Sequence, residues 1–336
     1  KEKEDPMPAH HAQGTTLHER YRIDRVIGQG GYGFIYLAED LRLSGRYCAV
    51  KEVSYDPSLP PELLKESREQ FQREATVLAR LDHPNLPKVS DYFSIEERDY
   101  LVMDYVPGDD LRTLVSKAAQ KGEYLEEEEV LEWARQIGDA LEYLHNQEPP
   151  IVHRDIKPSN LKLTPNGRVK LVDFGLVKLL APGEVTITIL QGQGTATYTP
   201  LEQYGGDSLH TDRRADIYAF GATLYHLLTN QTPVNVRDRF LDPHSLPNPR
   251  TINPAISTRV ADAILWAMAL HPDDRPADVS QFIKALTGET TTSLRNGYSN
   301  GSPRRQAKIG ALEQRLIAVA ASLGFLTLLL TLLRNL

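Results

Sequence analysis

One cysteine in 336 residues, Cys48, is the first thing this chain is short of. A lone thiol excludes an internal disulfide and fits a reducing compartment. Positive charge is in deficit as well: 38 Lys and Arg against 45 Asp and Glu leave a formal net charge of −7. Phosphate backbones demand a basic surface, so nucleic acid is not expected as the main partner. A nucleotide site needs only a few local cations and stays open. No internal repeat is apparent, and the first stretch is charged rather than apolar, so no signal peptide is expected in it. What is present suffices for a core. Hydrophobic residues at 40% and charged residues at 25% describe a globular chain. The length fits one two-lobed domain of roughly 250–280 residues plus tails, or two ordinary domains.

Along the chain, residues 1–20 are polar without a sustained period and read as a flexible lead-in; His10 and His11 have no further ligands nearby to suggest a metal. From Tyr21 to about Tyr105 the pattern favours strands, at Tyr21–Ile27, Phe34–Ala38 and Tyr47–Val53. One helix is predicted within that stretch, from Pro61 to Leu81, with Phe71, Ala75, Leu78 and Leu81 at helical spacing and His83-Pro84-Asn85 ending it. Beyond Val106 the signal is mostly helical, at Leu111–Lys121, Glu126–Asn146, Asp212–Thr229, Thr258–Ala269 and Val279–Leu286. Short apolar runs between turn residues in Ile151–Asp173 suggest small strands and functional loops. The expected fold class is therefore α+β: a strand-rich small lobe over 21–105, then a helical large lobe over 106–286.

Residues 287–315 are rich in Thr, Ser, Asn and Gly and read as a linker. Leu316–Leu333 is an apolar run without a charge. At a rise of ~1.5 Å per residue it measures about 27 Å, close to the ~30 Å hydrocarbon core of a bilayer. A single transmembrane helix is expected over 316–333. Arg304, Arg305, Lys308 and Arg315 precede it and only Arg334 follows, which places the globular part in the cytoplasm.

Chemistry concentrates in a few motifs. Gly28-Gln29-Gly30-Gly31-Tyr32-Gly33-Phe34-Ile35 lets backbone N–H groups approach phosphate oxygens with no Cβ in the way. Strand-like runs on both sides mark it as a hairpin lid rather than the strand-to-helix turn of dinucleotide folds. Cys48-Ala49-Val50-Lys51 is a strand that ends in lysine, and a lysine in an apolar strand is costly unless an anion satisfies it. Phosphates would do so, as would Glu74, which lies among Phe71, Ala75 and Leu78 on the following helix.

With these residues in place, the chain resembles the protein kinase family, and in particular the bacterial eukaryotic-like Ser/Thr kinases, from about Tyr21 to Leu286. His153-Arg154-Asp155-Ile156-Lys157-Pro158-Ser159-Asn160 is similar to the family's catalytic loop, and Asp173-Phe174-Gly175 follows in the family's order. The resemblance implies a two-lobed kinase fold using ATP with Mg²⁺, or Mn²⁺ in its place. Asp155 would take the proton of the substrate hydroxyl, Lys157 would neutralise the γ-phosphate, and Lys51 with Glu74 would position ATP. Asn160 and Asp173 would be metal ligands. The nucleotide set it implies is Ile27, Gly28, Gln29, Gly30, Gly31, Gly33, Ile35, Ala49, Lys51, Met103, Asp104, Val106, Asn160 and Asp173, with Met103 at the back of the adenine pocket and Asp104 to Val106 as the hinge. Asp109 and Asp110 fit either a ribose contact or a helix N-cap.

Thr195 resembles the position that receives the residues around the target hydroxyl. Pro200-Leu201-Glu202 stands where the family has Ala-Pro-Glu, a departure expected to be tolerated because Glu202 is the member that pairs with a buried arginine, for which Arg275 is the candidate. Asp216 resembles the residue that braces the catalytic loop. Arg154 beside Asp155 implies control by activation-loop phosphorylation, with Thr186 and Thr188 as candidate phosphosites and a homodimer for trans-autophosphorylation. Protein substrates bearing Ser or Thr are the implied partners. A pseudokinase scaffold and a small-molecule kinase on the same fold are the competing readings. All of Lys51, Asp155, Asn160 and Asp173 are present, which disfavours the first, while Lys157 and Thr195 disfavour the second.

Overall fold

Residues of alternating character build a sheet only if each set has a surface to cover, and the strands near the N-terminus cover two. In a computed structural model of the chain, residues 10–30, 33–55, 60–173, 178–179, 196–204 and 212–289 are described. Among them β1 (Thr16–Leu17), β2 (Tyr21–Gly30), β3 (Gly33–Asp40), β4 (Tyr47–Ser54), β5 (Val89–Ile95) and β6 (Arg98–Asp104) pair antiparallel in the order β1-β2-β3-β4-β6-β5. Register places Tyr36, Val50 and Val102 side by side on one face, and Leu37, Ala49 and Met103 side by side in the adjacent row. Because side chains alternate with period two, these rows belong to opposite faces. One face closes a small aromatic-rich core of Tyr21, Phe34, Tyr36, Phe93 and Tyr100. The other contributes Ala49, Leu101 and Met103 to the main core.

Helix α1 (Pro61–Leu78) crosses that second face, burying Ala75 and Leu78. It stops three residues before the predicted Leu81, which instead lies buried in the turn that follows. That turn is pinned from below: the Asn85 side-chain amide donates to the carbonyl of Val169 at 2.7 Å. Below the sheet lie α2 (Leu111–Gln120), α3 (Glu127–His145), α4 (Arg214–Thr229), α5 (Val236–Leu241), α6 (Pro249–Ile252), α7 (Thr258–Ala267) and α8 (Val279–Thr287). Small strands sit between α3 and α4, with β7 (Ile151–Val152) paired to β10 (Lys178–Leu179) and β8 (Leu161–Leu163) paired to β9 (Val169–Leu171). Helix α4 is buried from Ala215 to Thr229, as expected of a helix that is apolar all round, and it is the axle of this lobe. The two-lobed α+β architecture is thus the one observed.

Residues 10–20 were expected within a flexible lead-in, but they are seated on the sheet: Thr16 and Leu17 pair with Arg22 and Tyr21, and Leu17 is buried. Three histidines make aromatic contacts there, a type of anchoring that carries no apolar periodicity. Residues 1–9, and residues 290–336 with the apolar run Leu316–Leu333, lie outside the described residues. Among the described residues no helix is long and apolar enough to cross a membrane.

His226 links this packing to pH. It is buried on α4, its Nδ1 lies 2.7 Å from the Tyr198 hydroxyl, and burial, aided by the charge of Arg112, lowers its pKa to about 4. The folded chain therefore holds a neutral imidazole where the unfolded chain, at an ordinary 6.5, binds a proton. Its stabilising contribution is complete above pH 6.5 and is lost as pH falls towards 4. Urea unfolding at several pH values should show wild type losing stability more steeply in that window than His226→Gln, by up to about 1.4 kcal/mol per pH unit. Parallel curves for the two proteins would mean that His226 does not set the slope.

Candidate active site

Between the lobes, five functional side chains are delivered by strands and by one braced loop. Strands β2 and β3 meet at Gly30 and Gly33, so the glycine motif is a hairpin lid, as its flanks predicted. Gly33 has φ +146°, and a Cβ there would collide with the carbonyl of Glu52 on β4. Gly31 and Tyr32 at its tip lie outside the described residues.

Lys51 follows on β4, between Ile35 of β3 and Leu101 of β6. Its side chain is mostly buried, and its ammonium is paired with the Asp173 carboxylate. Burial works against the charge on Asp173, but Lys51, with Lys157 and His153 contributing less, overcomes it and holds the carboxyl below its ordinary range. Asp173 also sits at φ +68°, a left-handed conformation that is uncommon for a residue with a Cβ. Glu74, half-buried on α1, accepts from the Gln70 amide at 3.0 Å and lies within electrostatic reach of Arg154. The ion pair that the structure assigns to Lys51 is thus the one with Asp173.

The loop from His153 to Asn160 is shaped from beneath by Asp216 on α4. One Asp216 oxygen accepts from the Arg154 N–H at 2.8 Å, and the other from the His153 N–H at 2.9 Å and from His145 Nε2 at 2.8 Å. Burial opposes ionisation of Asp216, yet His145 and these donors hold its carboxyl below the ordinary range. The brace is needed because Arg154 is held at φ +68°. Burial also lowers the pKa of the His153 imidazole. Two turns further along α4, the Thr223 hydroxyl reaches the Ile156 carbonyl at 3.3 Å.

Asp155 is the product of that shaping. It is 3% exposed. Its Oδ2 lies 2.8 Å from Lys157 Nζ and accepts from the Asn160 amide at 2.8 Å, while the same amide donates to the Asp155 carbonyl at 2.9 Å. Oδ1 is buried and has no hydrogen-bond partner among the described residues. A buried carboxylate oxygen left open in this way is an acceptor poised for a proton. The Val172 N–H donates to the Asn160 carbonyl at 2.8 Å, so Asn160 and the segment leading into Asp173 are tied together. These two residues offer hard oxygen donors of the kind that Mg²⁺ or Mn²⁺ prefers.

At the back of the cleft Met103 is buried and pairs with Ala49 and Val89. Asp104 points elsewhere: its carboxylate meets Arg46 at 3.4 Å and the Lys88 N–H at 3.2 Å, so any adenine contact there would fall to backbone atoms. Val106 is buried beyond it. Of the two readings for Asp110, the helix cap is the one realised, its carboxylate accepting from Thr113 N at 2.8 Å; Asp109 pairs with Lys117 at 2.6 Å. The Glu202–Arg275 pair forms as predicted, bidentate at 2.5 and 3.0 Å, with the Arg275 side chain fully buried.

Two contributors were not singled out from sequence. Gly108, at φ +104°, lets the turn after the hinge press against the Leu163 carbonyl, where any Cβ would collide. The Pro107-Gly108 pair is a turn signal that would have found it. His145, the third donor to Asp216, closes α3 with no pattern to announce it. Phe174, Gly175, Thr186, Thr188 and Thr195 lie outside the described residues.

The fold has counterparts among known proteins. The family model of the protein kinase domain matches residues 21–286. A probable serine/threonine-protein kinase of Clostridium acetobutylicum is 32% identical over 294 residues, covering 85% of this chain and 42% of the relative. The serine/threonine-protein kinase PrkC of Bacillus subtilis is 34% identical over 270 residues, covering 78% of this chain and 39% of the relative. Among solved structures, the PknI kinase domain of Mycobacterium tuberculosis superposes with a TM-score of 0.63 at 28% identity, covering 83% of this chain and 100% of that one. The chain spans between 38% and 50% of the length of the curated relatives it matches.

Proposed function

This chain belongs to the protein kinase family, and from that premise we propose that it transfers the γ-phosphoryl group of ATP to serine or threonine hydroxyls of proteins. The observation that carries the reading is the divided Asp155 carboxylate: one oxygen is fixed by Lys157 and Asn160 while the other is buried and open. A substrate hydroxyl donating to Oδ1 is oriented for attack on the γ-phosphorus. As the new O–P bond forms, the bond from that phosphorus to the β–γ bridging oxygen breaks, ADP departs, and the hydroxyl proton passes to Asp155. Lys157, already beside Asp155, offsets the negative charge that gathers on the transferred group. Lys51 supplies the cation for the nucleotide phosphates. Family membership implies ATP and a divalent metal in general, and Asp173 with Asn160 would hold that metal. Held there, such an ion would supply positive charge to offset that of the phosphates. Lys157 and the relatives' printed names support Ser/Thr as the acceptor class.

With labelled ATP, Mg²⁺ and a generic basic protein substrate, Asp155→Asn should lower transfer by at least about 100-fold while ATP binding persists. Equal rates for the variant and wild type would remove Asp155 from the reaction. Binding without transfer by wild type would favour the scaffold reading.

Regulation belongs to the same proposal. Thr186 and Thr188 are autophosphorylated, and the added charge of about −2 orders their loop by pairing with Arg154. Support comes from the charge-poor loop and from the guanidinium beside the base. Thr186→Ala/Thr188→Ala protein should lose loop phosphate by mass spectrometry and most of its activity. A wild-type labelling rate that is second order in enzyme would place the reaction between two copies. Full activity and unchanged loop phosphate in the double variant would end this reading.

Leu316–Leu333 anchors the kinase to a membrane, with the catalytic domain on the cytoplasmic side. Its length, its lack of charge and the flanking arginines support that placement. The full chain should stay with membranes through an alkaline wash, and Phe325→Lys/Leu326→Lys, costing about 2.5–3.5 kcal/mol per lysine, should release it. Recovery of wild type in the soluble fraction would refute the anchor.

A further inference from the structure

Residues 10–20 precede the stretch that the kinase family model matches, yet they are built into the small lobe. His11 is the centre of the contact. Its backbone N–H donates to the Tyr36 hydroxyl at 3.2 Å, and its Nε2 lies 2.8 Å from the Tyr100 hydroxyl and 3.5 Å from a Glu52 carboxylate oxygen. His10 meets Phe34 edge-on with ring centres 5.7 Å apart, and His18 stacks on Phe93 at 4.8 Å. Leu17 is buried in the same cluster as Cys48 and Val50.

Glu52 is the acceptor at the heart of this arrangement. Its side chain is 0% exposed. One oxygen accepts from the Tyr36 hydroxyl at 2.8 Å, and the other accepts from Arg98 at 3.0 Å and from the Ser54 hydroxyl at 3.4 Å. A buried carboxylate is tolerated only when so surrounded. Glu52 is also the next residue after Lys51, and consecutive side chains of a strand point to opposite faces. Fixing Glu52 from outside therefore fixes how Lys51 enters the cleft. The lid rests on the same spot, since Gly33 packs against the Glu52 carbonyl.

We propose that residues 10–20 are a strap that positions the strand carrying Lys51, with His11 as a positioning residue that acts through Glu52. The inference rests on Lys51 serving nucleotide, as proposed above. The strap has a direction with pH. The groups around His11 are Glu52, Arg98, Glu96, His10 and the hydroxyls of Tyr36 and Tyr100. Burial lowers the imidazole pKa from 6.5 against the pull of Glu52. The docked strap thus favours neutral His11. Its hold is full above about pH 6.5 and weakens as pH falls below that value.

Cys48 is the chain's one cysteine and serves as a built-in reporter. It is 1% exposed, its thiol donates to the Ala38 carbonyl at 3.4 Å, and burial raises its pKa to about 11. In the full chain, His11→Ala should speed thiol labelling of Cys48 about tenfold by freeing the strap. It should also weaken ATP binding several-fold in equilibrium titration, with kcat at saturating ATP changed less than twofold. His11→Gln, whose amide can still hydrogen-bond the Tyr100 hydroxyl beside Glu52, should recover most of both effects. The ratio of variant to wild-type labelling rates should fall towards one between pH 7 and pH 5.5. Wild-type labelling in His11→Ala would overturn the strap. Faster labelling with unaltered ATP affinity would overturn the positioning role. ATP binding and labelling are read without phosphoryl transfer, so a wild type that transfers no phosphate would sink the kinase reading and still leave the strap decided by these two measurements.

Discussion

Asp216 is a charged carboxylate wholly removed from solvent, and the catalytic loop owes its shape to the way that charge is satisfied. Three donors meet it, and two are backbone N–H groups of the loop itself, at His153 and Arg154. Hydrogen bonds to a charged acceptor contribute about 1.5–3 kcal/mol each. A left-handed residue such as Arg154 costs on the order of 1–3 kcal/mol. Two such bonds offset one such strain, so the loop holds a backbone conformation it would not adopt alone. The position of Asp155 is then inherited from α4, a helix with no solvent-facing side to yield to. Rigidity at Asp155 comes from a buried helix beneath the loop.

The cleft is balanced by pairs. Lys51 faces Asp173 and Lys157 faces Asp155, so four charges occupy a partly dry space at little net electrostatic cost. A metal-bound triphosphate brings both signs at once. On the proposed function, such a ligand would give each lysine a phosphate to meet and would leave the carboxylates for the metal and the hydroxyl. Pairing of this kind keeps isolated charges from being buried.

Legibility followed the physics of each feature. The glycine hairpin and the lysine strand were readable because each needs particular residue types at short spacing, glycine for close approach and lysine for an anion, whereas the braced loop was readable through family resemblance. Glu202 with Arg275 was readable through family resemblance, although 73 residues separate them. Asp110 was not, since an aspartate before a helix satisfies cap and ribose rules alike and only geometry separates them. The partner of Lys51 was also beyond sequence. Glu74 and Asp173 are both plausible carboxylates, and the choice depends on where α1 and the segment after β9 come to rest. His145 was silent because a histidine closing a helix has no pattern of its own. The strap was silent for a related reason: its contacts run through histidine rings and tyrosine hydroxyls, and a hydropathy pattern registers neither.

The strand β4 draws these levels together. Its alternation sends Lys51 to the cleft and Glu52 to the outer face, and both are ionisable groups in largely buried surroundings. Neither position is free to drift, because a shift of one residue would exchange their faces, sending Lys51 into an aromatic core and Glu52 towards phosphates. Register is therefore guarded electrostatically as well as by packing. On the inner side the guard is the pairing of Lys51 with Asp173. On the outer side it is Tyr36, Arg98 and a segment that the family pattern does not include. The inner face of this strand is thus held by the cleft, and its outer face by the hydroxyl, the guanidinium and the strap gathered around Glu52.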